Sequence, residues 1–206
     1  RKSIPVFDKI TTKYIFISSV AVYEKSDLFP ITESFNLGSW ELFGNYGTEK
    51  AKVEKYLSSF DNLATIVLRP SYIIGKNNHH NREGYYFDKI ISEDIVDVEG
   101  DGQAVLSFVF VEDLANIIIN FVMSKDNLAG TYNICGDEYT TIKGFINLIS
   151  GVVGKKPSLR IVNEAVSFKN ENCFFSNSKV KNILNYKFKN LSDGLKELYE
   201  HSYKVP

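Results

Sequence analysis

The chain has 206 residues, 44% of them hydrophobic and 14% aromatic, which is enough to bury a real core and excludes a disordered polypeptide. Its 24 basic and 25 acidic residues leave a formal charge of −1, so no net electrostatic drive carries it toward nucleic acid or an anionic membrane. No apolar run is long enough to span a bilayer and no charged-then-apolar leader opens the chain, so a soluble cytoplasmic protein is expected.

In chain order, a short segment after Ile4-Pro5 leads into Lys13-Tyr14-Ile15-Phe16-Ile17, a continuous apolar run that suits a strand buried on both faces of a parallel sheet. It ends at Ser18-Ser19. Ligands of open α/β sheets bind outside the carboxyl ends of the strands, which places two hydroxyls well for a substrate, although serines also simply end strands. Residues 24 to 44 read as a surface excursion, with Pro30, Gly38 and Gly44 among polar neighbours. A helix follows from Asn45 through Ala51, Val53, Tyr56, Leu57 and Phe60. A second strand over 64–69 stops at Pro70, completing a strand-helix-strand unit of a parallel sheet.

Residues 75 to 84 are polar and irregular. His79 and His80 point different ways and have no carboxylate or cysteine at ligand spacing, so no metal is expected. Further on, a helix is expected over 85–91, a short strand over 95–98, a tight turn at Gly100-Asp101-Gly102 and a strand over 107–111. Glu112-Asp113 then opens an apolar helix through Leu114, Ile117, Phe121 and Val122, where Asp113 reads as an acceptor for the orphan N–H groups of the first turn. A strand over 131–135, a helix over 142–153 ending near Gly154, and a closing helix over 191–203 complete the pattern. Cys135 and Cys173 sit in apolar surroundings and read as reduced thiols.

The helix opening at Asn45 carries the candidate chemistry. Tyr46 and Lys50, four residues apart, lie about 40° apart on a helical wheel, on the side that also carries Val53 and Leu57. An ammonium on an apolar face is costly unless compensated, and its charge favours the ionised form of a neighbouring phenol. Such a pair can move a proton. A long lysine can equally snorkel out of an apolar stripe, and the pair alone does not decide between the two.

Several motifs then fall in one order: Ser18-Ser19-Val20-Ala21-Val22-Tyr23, Tyr46-Gly47-Thr48-Glu49-Lys50, Leu68-Arg69-Pro70, Gly100-Asp101-Gly102 and Val111-Glu112-Asp113-Leu114-Ala115. Together they resemble the extended short-chain dehydrogenase/reductase family, the NAD-dependent epimerase/dehydratase group. The resemblance implies an α/β fold: the C-terminal half of a Rossmann-type domain over 1–75 and a small α/β substrate domain over 76–206, with about 104–135 returning to the Rossmann sheet. It implies NAD or NADP as cofactor, and a small molecule with a hydroxyl or carbonyl group, such as a sugar, as substrate.

By the same likeness Tyr46 would be the general acid/base, Lys50 would hold the nicotinamide ribose and favour the phenolate, and Ser19 would hydrogen-bond the reacting oxygen. Ser18, Pro70, Ser71, Tyr72 and Ile73 would line the cofactor, and Val20, Asn77 and Phe87 the substrate. Family members often dimerise through the helix carrying the tyrosine, so a homodimer is the partner the resemblance offers.

Three departures qualify the expectation. The glycine-rich turn that cradles the dinucleotide pyrophosphate is absent, so a C-terminal fragment is expected, inactive by itself. Leu106 stands where nucleotide-sugar members place an arginine for the diphosphate, and Tyr72 where several epimerases carry an asparagine. Val20-Ala21 replaces the acidic pair of the sugar 4,6-dehydratases, which argues against dehydration by that route. Asn77-Asn78, Tyr86-Phe87-Asp88-Lys89-Ile90, Gly100 and the missing arginine also resemble atypical relatives that include chloroplast RNA-binding proteins. That likeness offers the alternative of an RNA-binding protein or non-catalytic scaffold, against which stand Tyr46, Lys50 and the balanced charge.

Overall fold

The computed structural model describes residues 4–164 and 166–204. They form two compact units, one comprising residues up to Ser71 together with Leu114–Cys135 and Phe175–Lys187, the other Tyr72–Asp113, Gly136–Phe174 and the chain from Phe188 onward.

The first unit is built on a parallel sheet in the order β1 (Lys13–Ile17), β2 (Ala64–Pro70), β6 (Gly130–Ile134). Ile15 pairs with Ile66 and Leu68 with Tyr132, so the two apolar runs expected as neighbours lie side by side. Helix α1 (Ile4–Ile10) precedes β1, in the stretch where the sequence predicts only a short segment; Pro5 is tolerated there because a first-turn residue has no intrahelical N–H bond to lose. Helix α2 (Asn45–Leu57) connects β1 to β2 and ends at Ser58, short of Phe60, which packs with Val53 and Tyr56 against Ile4, Leu57 and Leu63. Helix α4 (Val111–Met123) enters this unit after its first turn, and α6 (Ser178–Leu184) follows later in the chain. The stretch from 24 to 44 is more than a surface excursion. Ile31 and Trp40 within it are fully buried, and a 3₁₀ turn over Glu41–Phe43 leads into Gly44, whose positive φ of 55° opens α2.

The second unit holds two small sheets. β3 (Tyr72–Ile74) runs parallel to β5 (Val105–Phe110), which pairs antiparallel with β7 (Tyr139–Thr141); β4 (Ile95–Glu99) runs parallel to β8 (Ser158–Val162). Helices α3 (Arg82–Ser92), α5 (Ile142–Val153) and α7 (Leu191–Ser202) complete it. Thr141 caps α5 by accepting from the Gly144 N–H, and Gly154 ends the helix in the left-handed region. Asp113 is buried and accepts a hydrogen bond from the Lys189 N–H. Cys135 in the first unit and Cys173 in the second are buried free thiols. Among the described residues no helix is long and apolar enough to cross a membrane.

Candidate active site

The candidate chemistry of the first unit gathers where β1 ends and α2 begins. Ser18 N–H donates to Leu68 O at 2.7 Å, extending the ladder one residue beyond β1 and fixing the strand end. Ser19 then caps a single 3₁₀ turn over Val20–Val22, its hydroxyl oxygen accepting from the Ala21 N–H at 3.1 Å while keeping its own proton to donate. Val20, Ala21 and Val22 are buried, so the turn is rigidly seated. Helix α2 presses directly on it. A β-carbon at Gly47 would lie 1.8 Å from the Ala21 carbonyl oxygen, so only glycine permits this approach.

On that helix Tyr46 is 55% exposed, and Lys50 lies inward of it. The Lys50 ammonium donates to the Ile17 carbonyl at 2.8 Å and stands 5.8 Å from the centroid of the Tyr46 ring and 5.1 Å from that of Phe16. Burial pulls the Lys50 pKa below its ordinary value, and the negative charge of Glu54 opposes that pull. The ammonium is therefore held between the end of β1 and an accessible phenol.

Beneath it lies a buried polar network that sequence reasoning missed. Glu54 is one turn beyond Lys50, accepts from the Ser18 hydroxyl, and is held by the Arg69 guanidinium through both carboxylate oxygens, the Nε contact at 3.1 Å. Arg69 also donates to the Tyr23 hydroxyl at 2.9 Å; that hydroxyl donates to Asn133 Oδ1 at 2.6 Å, and Asn133 Nδ2 donates to Ile31 O. Burial disfavours the Arg69 charge, but Glu54 and Tyr23 outweigh it and raise its pKa, while burial pushes Tyr23 up to about 12. An arginine inside the apolar run of β2 and a carboxylate continuing the Tyr46–Lys50 spacing were the signals available.

Pro70 and Ser71 close β2. The Ser71 hydroxyl is buried and has no hydrogen-bond partner among the described residues. The remaining expected site residues belong to the second unit. Tyr72 packs against Phe108 and Phe168 beneath the Arg82 guanidinium, and burial raises its pKa. Ile73 follows it on β3, its carbonyl accepting from Asn78 Nδ2. Asn77 adopts a positive φ of 62° and lines a cleft of about 140 Å³ with Asn78, Asn81 and Tyr203. Phe87 is fully enclosed, stacked on Tyr199 and Tyr203, so its ring serves the core of this unit. Leu106, where the resemblance leads one to expect an arginine, has no exposed surface.

The NAD dependent epimerase/dehydratase family model matches residues 6–135. The chain belongs to this family. Among curated proteins it is 26% identical over 200 residues to the chloroplast stem-loop binding protein of 41 kDa b of Arabidopsis thaliana, covering 91% of this chain and 51% of that protein. It is 28% identical over 193 residues to an uncharacterized UDP-glucose epimerase, YtcB, of Bacillus subtilis, covering 88% of this chain and 58% of that protein. The chain thus spans about half the length of the curated relatives it matches. Among solved structures, a UDP-glucose 4-epimerase of Thermotoga maritima, crystallised with UDP-glucose, superposes with a TM-score of 0.80 at 23% identity over 96% of this chain and 66% of that one. A UDP-glucuronic acid 4-epimerase of Bacillus cereus, in complex with UDP-glucuronic acid and NAD, gives 0.79 at 22% identity over 96% and 64%. These likenesses establish the Rossmann-like α/β fold.

Proposed function

We propose that the complete protein is an NAD(P)-dependent oxidoreductase or isomerase of the epimerase type, acting on a hydroxyl or carbonyl group of a sugar derivative. The observation that carries the reading is the accessible Tyr46 phenol beside the Lys50 ammonium, on a helix packed through Gly47 against the turn that presents Ser19. The NAD and UDP-sugar complexes of the structural neighbours support the same class.

The residues at hand fit the nicotinamide side of a dinucleotide. Lys50 supplies a fixed cation for ribose hydroxyls. The unpartnered Ser71 hydroxyl, which is costly to bury unsatisfied, supplies a polar group for a ligand to complete. When bound, the cofactor supplies the hydride acceptor. Tyr46 takes the proton from the substrate hydroxyl as the hydride leaves, or returns it to a carbonyl in the reverse direction. Lys50 sets its positive charge beside the Tyr46 ring, and Ser19 donates to the reacting oxygen. Because Leu106 and Tyr72 replace the family's polar anchors, the substrate's distal group is held by other residues than in nucleotide-sugar members.

Steady-state assays of the complete gene product, with a panel of sugar nucleotides and simple sugars and either dinucleotide, test this reading through Tyr46→Phe. Undiminished turnover in that variant would sink it. The stem-loop binding relative favours a second reading, an RNA-binding protein on the same fold. A gel-shift titration with structured RNA separates the two: tight, salt-sensitive binding without dinucleotide binding favours the second.

A further inference from the structure

The two contacts at the end of β1 lie on consecutive residues and lead to one helix. Lys50 on α2 grips the Ile17 carbonyl, and Glu54, one turn further along the same helix face, receives the Ser18 hydroxyl. Glu54 cannot turn away, because Arg69 on β2 engages both its oxygens, and Arg69 is in turn fixed by Tyr23, which is bonded to Asn133 on β6. We propose that Glu54 is a positioning residue for the Tyr46–Lys50 pair: its clamped carboxylate fixes the strand end that grips Lys50 and sets a negative charge one helical turn from the half-buried ammonium. The proposal rests on the oxidoreductase reading only for its purpose; the geometry stands without it.

The groups facing Lys50 define what its titration reports. On its own helix these are Tyr46 and Glu54; from β1 they are the Phe16 ring and the Ile17 carbonyl; Arg69 of β2 lies behind Glu54. Glu54 is thus the carboxylate whose charge opposes the effect of burial on the ammonium, and Arg69 is the cation paired with that carboxylate. A ligand that leans on Lys50 needs it charged. Loss of the Glu54 charge would let it release its proton at a lower pH.

The test is a ¹⁵N side-chain titration of Lys50 in the lysine-labelled chain, assigned with Lys50→Arg and read without substrate or dinucleotide. In Glu54→Gln the amide oxygen can still receive Ser18, but the Lys50 pKa falls. Glu54→Asp keeps the charge and holds the pKa near that of the unsubstituted chain. Because Arg69 left without its carboxylate can unfold the chain, Glu54→Gln/Arg69→Met removes both charges, and in it the Lys50 pKa still falls, by less than in Glu54→Gln. An unchanged Lys50 pKa in whichever of the Gln variants folds, or equal shifts in Glu54→Asp and Glu54→Gln, overturns the proposal. Absence of dinucleotide turnover in the complete protein would overturn the oxidoreductase reading and leave this titration standing.

Discussion

Gly47 and Ala21 approach so closely that a β-carbon on the former would fall 1.8 Å from the carbonyl oxygen of the latter. The neighbour is backbone and cannot rotate aside, so Gly47→Ala must lever α2 away from the Ser19 turn. A loss of about 1–3 kcal/mol in unfolding free energy is expected in a urea titration. An unchanged midpoint would show that the helix and the turn are not in this contact.

Tyr46 makes the opposite case. More than half of its surface is open, and its removal as an acid leaves the ring in place. Tyr46→Phe should leave unfolding free energy within about 0.5 kcal/mol of the unsubstituted chain. Turnover by the complete gene product should fall by about 10²–10⁴. Parallel losses of stability and turnover would point to a structural role instead.

Much of this arrangement was legible in the sequence because it depends on local spacing. The apolar runs of β1 and β2, the periodic faces of α4, α5 and α7, and the i, i+4 relation of Tyr46 and Lys50 are visible without a partner. What was hidden depends on distant residues. Glu54 meets Arg69 fifteen positions on, and Tyr23 meets Asn133 across 110 residues, so neither pair leaves a local pattern. Trp40 and Ile31 sit among polar and turn-forming neighbours, which masked their burial. Strands of three residues such as β3 and β7 are too short to show a period, and β8 is mostly exposed.

Glu83 in the second unit carries a pH dependence. It is buried and accepts from the Gly75 N–H at 2.7 Å and from Asn78 Nδ2 at 2.9 Å; burial nevertheless raises its carboxyl above the ordinary 4.5. The folded chain therefore keeps this proton to a higher pH than the unfolded chain does. That contribution to stability is complete below about pH 4.5 and is lost as pH rises through the folded value. In Glu83→Gln this falling segment of the stability–pH curve should vanish. Superimposable curves for the two proteins would refute the assignment.

Leu106 gives a further check on the substrate argument. It lies in β5, pairs with Thr140, bridges to Cys173 and is fully buried. Leu106→Arg would restore the residue type that nucleotide-sugar members use, yet would bury an unpaired guanidinium. A loss of about 3–5 kcal/mol and a lowered Tm are expected in thermal unfolding. A stable variant that gains affinity for a nucleoside diphosphate would contradict the packing described for β5.

The most direct test of the central claim is titration of the complete gene product with NAD(H) and NADP(H), followed by fluorescence, beside a Lys50→Met variant whose circular dichroism confirms the fold. The account predicts saturable binding of one dinucleotide by the unsubstituted protein and at least about tenfold weaker binding by Lys50→Met, since it assigns ribose binding to the cation fixed on Ile17. No dinucleotide binding, or equal affinity in the two proteins, would contradict it.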